Sequence, residues 1–369
     1  MRFFCQKSEF FQALSIVQKA INTHNTLPVL GNILLKTEGQ KVYLSATNLE
    51  IAISTSFSAT VKNEGAITVP ARLIVNSVSF LKEGEIEVFL EDGESIGIFA
   101  NGSKTKMKGI SAEDFPPLPK VQKEFTVEIE ESLLKRSIER TVFCCSASSI
   151  RPVLSGALFW VTGKEMRLVA TDSYRLGEQK ITLSESLPEF KCIIPARTLQ
   201  ELSRILSSEK GDKKRKVNII ASKNQIVFQS QDTEISSRLI EGNFPDYERI
   251  IPKERKSIAV LAIENIILGI KRVGIFAKEN NNNIRLSLTE KSVVITTDDT
   301  EIGNDISEIP AEISGPPIEV ALNAQYLLDI LQNISDDTLE LSLTEKLSPL
   351  TIQPKSDMKY VHIIMPLKI

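Results

Sequence analysis

The sequence predicts an α+β fold built three times along one chain, each copy holding two helices and antiparallel strands. The first observation behind this is repetition. Ala46-Thr47-Asn48-Leu49-Glu50-Ile51 returns as Ala170-Thr171-Asp172-Ser173-Tyr174-Arg175-Leu176, and more faintly as Thr296-Thr297-Asp298-Asp299-Thr300-Glu301-Ile302. The steps from Thr47 to Thr171 and from Thr171 to Thr297 are 124 and 126 residues. Val69-Pro70-Ala71-Arg72-Leu73 returns as Ile194-Pro195-Ala196-Arg197-Thr198-Leu199, with Leu322-Asn323-Ala324-Gln325-Tyr326-Leu327 as a fainter third copy. The second observation is that a period this long describes whole domains, not stacked solenoid units. The third is that period-two alternation dominates between a few paired helical segments.

The elements follow in the same order in each third. An amphipathic helix is expected at Ser8–Asn22, Glu131–Cys145 and Ile263–Lys278. A second, after the Pro-Ala-Arg type of start, is expected at Ala71–Lys82, Ala196–Leu206 and Asn323–Ile334. Ile86, Val88 and Leu90 alternate with polar residues, Asp92-Gly93 turns the chain, and Ile96 and Ile98 resume, which is a hairpin signature. Leu339, Leu341 and Leu343 repeat the strand pattern in the last third. Proline clusters at Phe115–Val121 and at Pro252–Lys256 mark the linkers. The expected domains are therefore 1–121, 122–252 and 253–369.

Composition removes several functions. Of 369 residues, 42% are hydrophobic and 25% charged, as in ordinary globular proteins. His24 and His362 are the two histidines, so a His-rich metal site or a two-histidine mechanism is excluded. Cys5, Cys144, Cys145 and Cys192 form no C-x-x-C pair, and read as buried thiols of a reducing compartment. No signal-like or membrane-length apolar stretch occurs, so a cytoplasmic protein is expected. Gly97, Gly102, Lys104 and Thr105 imitate a phosphate loop, but Ser103 separates Gly102 from Lys104. Asp298 and Asp299 as strand neighbours would point to opposite faces, so a turn is expected there in place of a metal pair. No metal, cofactor or catalytic residue is expected. An enzyme acting on nucleic acid through Asp298 and Asp299, and a scaffold that binds only proteins, are the competing classes.

Charge is segregated. With 44 Lys and Arg against 47 Asp and Glu, the net charge is -3, which argues against holding nucleic acid by bulk positive charge. Yet the six expected helices carry eleven basic residues and six acidic ones. In the third expected helix along the chain, Glu131–Cys145, the face of Leu133, Leu134, Ser137, Ile138, Thr141, Val142 and Cys145 is expected inside, with Lys135, Arg136, Glu139 and Arg140 outside. In Ile263–Lys278, Ile263, Ile266, Ile267 and Ile270 are expected inside, with Lys271 and Arg272 beyond them. The densest basic run, Lys213-Lys214-Arg215-Lys216, reads as a hairpin tip.

Eight blocks in order resemble the bacterial sliding clamp family, the beta subunit of DNA polymerase III, from end to end. They are Thr26-Leu27-Pro28-Val29-Leu30-Gly31-Asn32-Ile33-Leu34, Ala46-Thr47-Asn48-Leu49-Glu50, Val69-Pro70-Ala71-Arg72, Glu113-Asp114-Phe115-Pro116, Arg151-Pro152-Val153-Leu154-Ser155-Gly156, Ala170 to Leu176, Gly242-Asn243-Phe244-Pro245-Asp246-Tyr247 and Met365-Pro366-Leu367-Lys368-Ile369. The resemblance implies a homodimer closed head to tail into a ring. It implies sequence-independent passage of double-stranded DNA through the hole, and a non-catalytic processivity role on the bacterial nucleoid. Implied partners are the polymerase III catalytic subunit, the clamp loader and other clients carrying a clamp-binding peptide.

It further implies a client-peptide pocket at Leu154, Thr171, Ser173, Tyr174, Arg175, Leu176, Pro245, Ile250, Pro349, Ile363, Met365, Pro366 and Leu367, with Arg175 at its rim. Ser173 stands where relatives often carry Gly, and Lys368 where Arg is frequent. DNA-facing positions are expected at His24, Arg72, Lys135, Arg136, Arg140, Arg151, Arg197, Arg204 and Lys271, with Ser149 in the same loop as Arg151. The ring interface is expected at Leu81 and Met107 against Ile275 and Phe276, bordered by Lys271 and Arg272.

Overall fold

The computed structural model describes residues 1–22, 27–92, 94–119, 121–148, 150–206, 215–299 and 303–367. His24, Thr26, Gly93, Ser149, Lys213, Lys214, Thr300, Glu301, Ile302, Lys368 and Ile369, all named above, lie outside that set.

Among the described residues there are six α-helices, and each begins on the residue after a strand. They are α1 (Lys7–Val17), α2 (Ala71–Ser79), α3 (Glu131–Thr141), α4 (Ala196–Ile205), α5 (Ile263–Ala277) and α6 (Ala324–Leu331). They stand where the periodicity put them but are shorter. Three expected C-terminal turns are 3₁₀, at Gln18–Ala20, Val142–Cys144 and Lys278–Asn280. Asn323 is outside α6 because it caps it: Oδ1 accepts from the backbone N–H of Gln325 (2.9 Å) and Tyr326 (3.3 Å).

The chain forms two compact units. The first comprises Met1–Leu134 with Glu201–Leu239 and holds two sheets. One runs Thr60–Asn63, Arg2–Gln6, Glu85–Glu91, Ser95–Ala100, Ser103–Lys108. It contains the expected hairpin, with Leu90 opposite Ile96. The other has eight strands and fuses two repeats: Thr233–Arg238 pairs with Ile51–Ser58, placing Ile235 opposite Ile53. Helix α1 drops Phe10 and Leu14, both fully buried, into this unit's core, where the Phe10 ring meets Phe3 edge-on at 5.9 Å. Each such burial contributes roughly 1.5–3 kcal/mol.

The second unit comprises Lys135–Gln200 with Ile240–Ile369. Its seven-stranded sheet fuses the central and last repeats in the same way: Arg175–Pro195 pairs with Tyr360–Ile364. Its four-stranded sheet runs Ile306–Pro310, Ser292–Thr296, Asn283–Leu288, Ile318–Asn323. Ile263, Ile266, Ile270 and Val273 of α5 and Leu327, Ile330 and Leu331 of α6 share one core with Leu339, Leu341 and Leu343. Ile267, expected inside with them, is half-buried. The middle repeat thus divides between the units, because four of its strands extend the sheet of the repeat before and two, both long, that of the repeat after.

Among the described residues no helix is long and apolar enough to cross a membrane, and no His/Cys/Asp/Glu grouping could hold a metal. Asp298 instead accepts from Arg285 at 3.0 Å. All four cysteines are free.

Candidate functional site

The repeated Thr-Asx marker proves to be a turn. Where Gly156–Thr171 gives way to Arg175–Pro195, Thr171 Oγ1 donates to Arg175 O (2.7 Å) and accepts from Ser173 N–H (3.1 Å). Asp172 Oδ1 accepts from the N–H of Tyr174 (2.9 Å) and Arg175 (3.0 Å). Such side-chain bonds replace the ladder at the bend, and are the reason Thr followed by Asp or Asn is needed there. The turn holds Ser173 at φ +83°, a left-handed conformation that glycine adopts without cost. Arg151 donates to Ser173 Oγ at 3.1 Å, tying the 151–155 loop to this turn. Tyr174 is left 61% exposed at the tip.

Arg175 does not stand at a rim. Its Nε donates to Asp172 (3.0 Å), Nη1 to Asp329 of α6 (2.6 Å) and Nη2 to Phe143 O (2.9 Å). The guanidinium lies 4.7 Å from the Tyr326 ring and 5.5 Å from that of Phe143. A cation with three of its five N–H donors bonded and aromatic faces beside it organises the wall. Tyr326 and Asp329, three apart on α6, are site residues the sequence reading missed.

The floor is apolar. Leu176 faces Ile363 across the strand pair, and both join a buried cluster with Leu158, Val169, Tyr247 and Val361. Phe244, Ile251 and Met365 cover it partially. After Ile364 the chain continues along the turn, with Met365 N–H donating to Tyr174 O (2.8 Å) and Leu367 N–H to Ala321 O (2.8 Å). Thr171, Ser173, Tyr174, Arg175, Leu176, Ile363 and Met365 are therefore one connected set. Leu154 is buried in the loop that Arg151 ties on. Pro349, half-buried, precedes Leu350, which faces Ile364. Pro245 and Ile250 are exposed on the segment anchored by Tyr247, whose hydroxyl donates to Glu178 (2.7 Å). Pro366 and Leu367 are half-buried.

Behind the floor lies a buried polar cluster. His362, with no exposed surface, has Leu176 O 3.0 Å from Nδ1 and Arg140 O 2.9 Å from Nε2, and it contacts the Tyr360 hydroxyl. Burial drives its pKa down to about 3, against the pull of the two carbonyls, so the ring is neutral. Gly177 is required beside it, since a Cβ there would lie 2.6 Å from the ring.

The chain as a whole is similar to known proteins. Residues 1–119 match the N-terminal domain, 128–246 the central domain and 248–368 the C-terminal domain of the DNA polymerase III beta subunit. The beta sliding clamp of Synechococcus elongatus is 31% identical over 376 residues, covering the whole of both chains. The chain belongs to the bacterial sliding clamp family. Its function is that of this family, a non-catalytic sliding clamp subunit of DNA polymerase III. The Bacillus subtilis DNA polymerase sliding clamp superposes with TM-score 0.93 at 27% identity, covering 100% of this chain and 99% of that one. A Pseudomonas aeruginosa sliding clamp solved bound to griselimycin superposes with TM-score 0.94 at 27% identity, with all of both chains covered.

The remaining expected positions of the clamp divide sharply. Arg72, Arg136, Arg151, Arg204 and Lys271 are exposed, and Lys135 and Arg197 half-buried. Arg204 pairs with Glu201 at 2.7 Å. Arg140 is a correction. Its side chain is 4% exposed, donates to Asp357 (2.7 Å) and Gln179 (3.0 Å), reaches Asp336 (3.5 Å), and stacks on Tyr360 (4.5 Å). It lies seven residues after Leu133, hence on the same helix face, and is turned inward to acids of the last repeat. Met107 is a second correction. Alternation in Ser103–Lys108 sends Lys104, Lys106 and Lys108 outward and Met107 into its own unit, 4% exposed. Leu81 and Phe276 are half-buried, while Ile275 is 62% exposed and Arg272 pairs with Asp305 at 2.9 Å. Phe80 (89%), directly after α2, and Ile306 (63%) are among the other exposed apolar residues.

Proposed function

We propose that this clamp closes head to tail with a second copy into a ring around duplex DNA, and holds client proteins by a short peptide in the groove between Tyr174, Leu176 and Met365. The observation that carries the ring is a pair of unpartnered sheet edges. Ser103–Lys108 ends the five-stranded sheet and presents Lys104, Lys106 and Lys108. Ile306–Pro310 ends the four-stranded sheet beside Asp305, and presents Ile306 and Glu308. Lys104 and Lys106 already pair with Glu91 and Asp92, so what suits joining between two copies is the row of backbone donors and acceptors left unpaired among the described residues on each edge. Ile275 and Phe80 would then be covered.

The exposed basic residues Arg72, Arg136, Arg151 and Lys271 would meet phosphates without reading bases. With a net charge of -3, retention would come from topology. The apolar floor, bordered by exposed Tyr174, suits an apolar peptide anchor of the polymerase III catalytic subunit, the clamp loader or other clients on the bacterial nucleoid in the cytoplasm. Light scattering should give twice 41.0 kDa. The loaded ring should persist on nicked circular DNA and be lost on linearisation. A monomer that cannot be loaded, or equal retention on both DNA forms, would overturn the reading.

A further inference from the structure

The turn at Thr171 has a near-copy in the first unit. Thr47 Oγ1 donates to Ile51 O (3.0 Å) and accepts from Leu49 N–H (3.0 Å). Asn48 Oδ1 accepts from the N–H of Glu50 (3.0 Å) and Ile51 (2.9 Å). The neighbouring strand leaves in the same way too: Arg238 N–H donates to Glu50 O (2.9 Å), as Met365 N–H does to Tyr174 O. The turn of the client groove and its bond to the neighbouring strand are therefore duplicated.

What fills the copied frame is not what bare architecture would choose. Leu49 occupies the position of Ser173, at φ +75° and 48% exposed. A bulky apolar residue held left-handed and facing water is unfavourable twice over, through its backbone and its hydration. It borders a cavity of about 120 Å³, lined in part by Ile51, Pro116, Pro117 and Pro119 and in about equal part by polar groups, Glu50 and Arg238 among them. That is roughly four times the volume of a liquid water molecule, far below a drug-sized pocket, and it suits one branched apolar side chain. Arg238 is exposed at its edge, and forms no ion pair among the described residues.

We propose that this groove docks a short extended peptide carrying one leucine-sized side chain next to a carboxylate. The apolar side chain enters between Leu49 and the prolines, and the carboxylate meets Arg238. Glu50 lines the same cavity and repels a carboxylate placed away from Arg238, which fixes the orientation of the peptide. The inference rests on the reading that the equivalent groove at Tyr174 and Met365 receives client peptides.

The test is methyl NMR on the full-length clamp labelled at Leu and Ile, titrated with the capped hexapeptide Gly-Ser-Leu-Asp-Ser-Gly. Leu49 and Ile51 methyl signals should shift and saturate. Replacing Asp by Lys in the peptide, or Arg238→Glu in the clamp, should weaken this about tenfold. Leu49→Asn, which tolerates positive φ and so keeps the turn, should abolish it. Unmoved Leu49 and Ile51 signals, or shifts indifferent to both charge changes, would overturn the proposal. Leu176 and Ile363 report the other groove separately. Shifts confined to them refute the second groove and leave the first, whereas shifts at Leu49 alone do the reverse.

Discussion

Arg140 offers the clearest separation between a surface role and an architectural one. If it faced DNA, Arg140→Met would weaken retention on DNA and leave folding intact. The structure demands the opposite. The guanidinium, 4% exposed, is shared between Asp357 at 2.7 Å and Asp336 at 3.5 Å, above the Tyr360 ring at 4.5 Å. Removing one member of a buried ion pair costs roughly 3–5 kcal/mol, because the partner charge is left without compensation. Here the stranded carboxylates keep 23% and 16% exposure and recover some water, and the Met sulfur retains part of the ring contact. The expected loss is therefore about 2–4 kcal/mol.

Urea unfolding followed by the fluorescence of Trp160, the single tryptophan, reads this unit directly, since Trp160 lies in the strand Gly156–Thr171. A cycle with Asp357→Asn should give a coupling of about 1–3 kcal/mol. An Arg140→Met clamp within about 0.5 kcal/mol of the parent, yet lost faster from nicked circles, would refute the argument and return Arg140 to the DNA.

Three further outcomes follow from the same unit. His362 has its folded pKa depressed to about 3 from 6.5, so the unfolded state binds the extra proton between those values. The stability it contributes is full above pH 6.5 and falls by about 1.4 kcal/mol per unit below. A His362→Gln clamp should lack that component of the slope between pH 7.5 and 5, and equal slopes in both proteins would contradict it. Ser173→Gly should raise stability by about 1 kcal/mol by relieving φ +83°, less the exposed bond from Arg151, and a lower urea midpoint would count against the strain. Deleting Met365–Ile369 removes the bond from Met365 N–H to Tyr174 O and part of the groove's cover. Client-peptide affinity should vanish while the dimer mass is unchanged, and fluorescence titration with unaltered affinity would place the groove elsewhere.

Much of this was legible because it is local. Helix starts follow from the strand ends and the Pro-Ala-Arg signal, and the Thr-Asx marker is a turn whose bonds span four residues. Arg140 and Met107 were legible too, had period been weighted above charge. Seven residues after Leu133 is the same helix face, and two residues from an outward lysine is not an inward position, whereas one is. The sequence reading assumed that a basic residue belongs outside, which holds until a distant acid comes to meet it.

That distance marks where reading by period ends. Arg175 and Asp329 are 154 residues apart, and Arg140 and Asp357 are 217 apart. Nothing along α6 says that Tyr326 and Asp329 will face a turn of another repeat. The fused sheets supply the reason: the pairing of Arg175–Gln179 with Tyr360–Ile364 draws two repeats together, and polar groups at the seam must find partners across it. The proposed client groove lies on this seam, where a strained turn, a cation bonded across repeats and an apolar floor come from separate stretches of chain. The first unit repeats the fusion through Ile51–Ser58 and Thr233–Arg238, with the same turn at its end. Leu49 at that turn is thus to be explained by what binds there, since architecture alone would be better served by glycine or asparagine.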